Sequence, residues 1–106
     1  MAYDDDGTSS EEQTGVAEET EVKLPPDYKV ILFNDDYTTK DFVVEVLEHV
    51  FHKTTADAIA IMEAVHQTGM GVAGVYTYDI AVTRASLTEN LARKRGFPLR
   101  CEAQPC

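Results

Sequence analysis

Four consecutive β-forming side chains, Val30-Ile31-Leu32-Phe33, run directly into three turn-forming ones, Asn34-Asp35-Asp36. An apolar run of that length suits a strand buried on both faces. The short polar side chains that follow bond nearby backbone and end it. Thr38 then offers a helix N-cap, with Asp41 at the N3 position of a capping box, where Glu is more usual. The stretch from Lys29 to Val43 thus predicts a strand-to-helix corner where polar acceptors stand beside a hydrophobic core.

A second constellation lies in Ile61-Met62-Glu63-Ala64-Val65-His66. On a helix, Met62, Val65 and His66 are three and four apart and share a face. Apolar walls with one imidazole, set beside Asn34 and Asp35, suit a cationic amine attached to an apolar side chain. The residues alone leave other readings open. Asp35 and Asp36 can be plain turn formers with His66 a satisfied core histidine, or the three can chelate a metal. Asp35 and His66 can also pair as a base and its orienter, but no nucleophile accompanies them. No nucleophile elbow and no phosphate-cradling glycine loop occurs anywhere in the chain.

The remaining pattern is that of a small α+β domain. Phe42, Val43, Val46, Leu47, Val50 and Phe51 form an apolar stripe that predicts a helix from about Thr39 to His52. Thr54-Thr55 caps a second helix, from about Ala56 to Thr68, whose apolar face uses Ala58, Ile59, Met62 and Val65 and which Gly69 ends. Gly71 to Tyr76 reads as a strand with glycines that permit close backbone approach. Thr77 caps a third helix that Gly96 ends, and Pro98 to Glu102 reads as the last strand. The expected order is β-α-α-β-α-β, a three-stranded antiparallel sheet packed against three helices. His49 and His52 are three apart but have no third ligand, so they read as surface residues.

Charge is distributed unevenly along the 106 residues, whose formal net charge is −10. Residues 1–22 hold eight acids and no Lys or Arg, leaving eleven acids against nine bases, −2, over residues 23–106. A nucleic-acid partner would require a basic face. The one basic cluster, Arg93-Lys94-Arg95, sits where a helix C-terminus favours cations. Residues 1–24 are too polar to offset their ordering entropy and are expected to be disordered, with the folded unit spanning 25–106. Met1-Ala2-Tyr3-Asp4 has neither a basic start nor an apolar h-region, and no apolar stretch approaches the roughly 20 residues a bilayer crossing needs. Cys101 and Cys106 then read as reduced thiols in a cytoplasmic protein.

Several blocks in fixed order carry a family resemblance: K-V-I-L-x-N-D-D-Y-T from Lys29, the F-V-x-x-V-L helix start, M-x-x-V-H, G-V-x-T, and P-L-x-C. From Pro25 to about Glu102 the chain resembles the bacterial ClpS adaptors. The resemblance implies an N-degron adaptor, with neither catalysis nor a cofactor, that binds substrates with an N-terminal Leu, Phe, Tyr or Trp. It would hand them, as a monomer, to the ClpA unfoldase of the ClpAP protease. It implies that Asn34, Asp35 and His66 hold the α-amino group, that Asp36, Thr38, Lys40, Val43, Met62, Val65 and Leu99 line the side-chain pocket, and that Asp79 and Arg84 meet the unfoldase. The N-terminal extension would work with that partner. After N-D-D-Y-T the family mostly continues Pro-Met, the Met guarding the pocket against β-branched first residues. Here Thr39-Lys40 stands instead. The same element order also resembles the C-terminal domain of the ribosomal stalk protein, a factor-docking module and the rival expectation.

Overall fold

The computed structural model describes residues 26–106. The expected disorder of residues 1–24 lies outside the described residues. Strand β1 (Tyr28–Phe33) leads into helix α1 (Lys40–His49) and helix α2 (Thr55–Thr68). Strand β2 (Met70–Tyr76), helix α3 (Tyr78–Lys94) and strand β3 (Arg100–Pro105) complete the order β-α-α-β-α-β. The sheet is antiparallel throughout, in the order β2-β1-β3, so the most apolar strand is the central one. Val30 and Leu32 are fully buried and Ile31 is 5% exposed, as a strand covered on both faces requires.

α2 packs on β2, α3 lies across β3 and β1, and α1 packs against α2. Phe42, Val46 and Leu47 of α1 join Val30 and Leu32 in one core, with Ala81, Ala85 and Ala92 of α3. Alanines along α3 let that helix approach the sheet closely. Ala73 bulges out of register between Val30 and Ile31 and is itself fully buried.

Two glycines set where α2 ends and how near it lies to the sheet. Gly69 closes α2 at φ 95°, a left-handed conformation that a side chain disfavours. Its carbonyl accepts from the Asn34 N–H at 2.9 Å, which ties the end of β1 to the end of α2. A Cβ on Gly71 would stand 2.8 Å from Val65 Cγ2. Gly71→Ala is therefore expected to push Val65 outward and lower stability by about 1–3 kcal/mol, the usual cost of overpacking. A thermal melt identical to wild type would show that α2 slides freely on β2.

Several expectations need correction. Thr39, not Thr38, caps α1, its Oγ1 accepting from the Phe42 N–H at 3.1 Å. Asp41 consequently falls one position short of N3, and no capping box forms. α1 ends at His49, short of the expected His52, which sits beyond it at φ 56°. Ile59 is 45% exposed and plays no part in the apolar face of α2. β3 begins at Arg100 rather than Pro98 and runs on to Pro105.

Candidate functional site

The corner after β1 is held by a single side chain. Asp35 Oδ1 accepts from the Tyr37 N–H at 2.8 Å and from the Thr38 N–H at 2.7 Å. Its Oδ2 accepts from the Thr38 hydroxyl at 2.7 Å. This commitment of Thr38 explains why the cap passes to Thr39. Partial burial alone would raise the Asp35 pKa. The hydrogen bonds from the Thr38 backbone, the Thr38 hydroxyl and the Tyr37 backbone outweigh it, and the net effect holds the carboxyl below its ordinary value near 3.8. Asp35 is thus a carboxylate at neutral pH. Oδ1 accepts two bonds and Oδ2 one, so Oδ2 retains a lone pair for a further donor.

Beside that corner, where α1 starts and α2 ends, lies a cavity of about 230 Å³. Asn34, Asp35, Asp36, Thr38, Lys40, Val43, Met62, Val65 and His66 line it. Val43, Met62 and Val65 are 6%, 8% and 3% exposed, and so belong to the core while presenting one side to the cavity. His66 is exposed in the last turn of α2, three residues before Gly69, whose carbonyl holds Asn34. That exposure excludes the reading of His66 as a core histidine. The bond between Asn34 and Gly69 brings two distant stretches of sequence to one rim. Polar groups of Asn34, Asp35 and His66 and apolar side chains of Val43, Met62 and Val65 thus line one cavity.

Leu99 does not line the cavity. It is 4% exposed and packs in the core, immediately before β3. Asp79 and Arg84 lie apart from it on α3, where with Ile80 and Thr83 they line a shallower depression of about 310 Å³. Arg84 already has work inside the fold. Its Nη1 donates to the Val50 carbonyl at 3.3 Å, and its guanidinium lies 4.7 Å from the centroid of the Tyr76 ring. Sequence reading also missed Glu63, whose Oε1 stands 3.9 Å from Lys40 Nζ. Nothing local signals that pairing, because the two residues sit on different helices. Among the described residues no group of His, Cys, Asp and Glu is placed to hold a metal ion, and no helix is long and apolar enough to cross a membrane.

Comparison with known proteins bears on what such a corner is for. The family model described as "ATP-dependent Clp protease adaptor protein ClpS" matches residues 23–102. This chain belongs to the ClpS family. Its function is that of an adaptor of the Clp protease, not of an enzyme. The ClpS of Acetivibrio thermocellus is 58% identical over 96 residues, spanning 89% of this chain and 97% of that protein. The ClpS of Myxococcus xanthus is 51% identical over 92 residues, 87% of this chain and 86% of that one. Among solved structures, Agrobacterium tumefaciens ClpS2 bound to L-phenylalaninamide superposes with a TM-score of 0.76 at 38% identity, covering 78% of this chain and 100% of that one. The ribosomal stalk alternative rested on element order alone, and ClpS membership replaces it.

Proposed function

We propose that this ClpS adaptor binds the free N-terminus of polypeptides whose first residue is Leu, Phe, Tyr or Trp and delivers them to a ClpA-type unfoldase. The observation that carries this reading is the cavity itself, which Asn34, Asp35 and His66 line together with Val43, Met62 and Val65. It is supported by the relative solved with L-phenylalaninamide, a ligand that combines a free α-amine with a benzyl side chain.

The chemistry of recognition follows from counting donors. An α-ammonium has three N–H donors, and an amide oxygen, a carboxylate and a neutral imidazole supply three acceptors. Asp35 serves twice in this reading. Three of its lone pairs build the corner, and the fourth, on Oδ2, takes the ammonium. Charge-assisted hydrogen bonds contribute about 1.5–3 kcal/mol each, and burying a bulky apolar side chain about 1.5–3 kcal/mol. Three such bonds and one buried side chain together come to about 6–12 kcal/mol, of which association takes at least about 4 kcal/mol. Either contribution alone leaves far weaker binding. A polypeptide is therefore selected only when a free N-terminus and a bulky first residue coincide.

Delivery needs a second surface, which we assign to Asp79 and the part of Arg84 not engaged with Val50, together with residues 1–24. The test of the binding half is a peptide series varying only the first residue, titrated by fluorescence anisotropy. Leu, Phe, Tyr and Trp peptides are expected to bind in the micromolar range and Gly, Asp and Lys peptides at least tenfold more weakly. A Phe peptide that binds no better than its Gly counterpart overturns the reading.

A further inference from the structure

Lys40 is the first residue of α1, and Glu63 follows the cavity-lining Met62 on α2. Lys40 lines the cavity, and its ammonium lies 3.9 Å from Glu63 Oε1 on α2. The ion pair therefore bridges, beside the cavity that Lys40 lines, the helix that supplies Val43 and the helix that supplies Met62 and Val65. A lysine stem covers apolar surface well when its head remains hydrated. Left to itself it samples many rotamers, and a flexible wall excludes little.

We propose that Glu63 is a positioning residue that holds Lys40 as a strap across the cavity, so that selectivity for the first residue depends on an ion pair. The inference rests on the reading of this cavity as the first-residue pocket. Both side chains are about half exposed, 51% and 43%, so the pair is weak and open to screening by salt. Its effect on binding is accordingly modest, but it acts where a long side chain must be enclosed. Phe extends to the strap and gains from it. Ile is shorter and β-branched, so it gains less when the strap closes.

The experiment is a double-variant cycle on the full chain, using fluorescent peptides that begin with Phe or Ile, at low and high salt. In low salt, Glu63→Gln is expected to weaken Phe binding about threefold and to lower the Phe-to-Ile affinity ratio by a similar factor. In a Lys40→Met background, where an uncharged stem forms the wall, Glu63→Gln is expected to change neither. The exchanged pair Lys40→Glu with Glu63→Lys should recover part of the ratio, and high salt should shrink the difference between wild type and Glu63→Gln. Equal effects of Glu63→Gln in both backgrounds, or none in either while wild type still prefers Phe, would overturn the strap but leave the pocket standing. Failure of wild type to bind the Phe peptide at all would overturn both.

Discussion

Acetylating the α-amine of a Phe-initiated peptide is expected to weaken its binding by about thirtyfold or more. Acetylation removes the positive charge and two of the three N–H donors. The Asp35 carboxylate, held below its ordinary pKa by the bonds from Thr38 and Tyr37, remains charged and would face a neutral amide. Leaving one member of a desolvated, hydrogen-bonded charge pair without its partner typically costs about 2–5 kcal/mol. The benzyl side chain is unchanged, so its burial contributes equally for both peptides. Isothermal titration of the free and acetylated forms measures the difference directly. Equal affinities would mean that the cavity recognises the side chain alone and that Asn34, Asp35 and His66 only shape the corner.

Replacing Asp35 separates the turn it builds from the ammonium contact proposed for it. Asp35→Asn keeps an oxygen able to accept from the Tyr37 and Thr38 N–H groups, but it removes the charge that we propose faces the ammonium. Asp35→Ala removes the turn as well. Both variants are expected to lose more than about tenfold in affinity for a Phe peptide, whereas only Asp35→Ala should melt clearly earlier. Acid supplies a third readout. Because the folded pKa lies below the ordinary value near 3.8, the contribution of Asp35 to stability is complete above that value and is lost as pH falls through the lowered folded one. Wild type should therefore lose stability in that acid window by an increment absent from Asp35→Asn. Should Asp35→Asn bind the Phe peptide as tightly as wild type, the carboxylate builds the corner and does nothing more.

The same side chain shows why part of the site could be read in advance. β1, its termination at Asn34-Asp35-Asp36 and the stop of α2 at Gly69 follow from local propensity, since each depends on residues within a few positions. The common face of Met62, Val65 and His66 follows from helical periodicity alone. The cap of α1 was less legible. Thr38 and Thr39 are both able caps, and the choice fell to Thr39 because the Asp35 carboxylate takes both the N–H and the hydroxyl of Thr38.

Relations between elements were closed to local reasoning. Leu99 turned inward to the core instead of lining the cavity, Ile59 turned outward, Arg84 folded back onto the Val50 carbonyl, and Lys40 reached across to Glu63. Each of these depends on the distance and angle between two packed elements. Short-range sterics and hydrogen bonding dictate which stretches become strand, turn and helix and which chemical groups the corner carries, so these are legible in the residues alone. Which side chains meet across the gap between α1 and α2 follows from packing. The close approach of α2 to β2 over Gly71 and the bond from Asn34 to Gly69 place α2 against the sheet, and such long-range packing leaves no periodic trace in the chain.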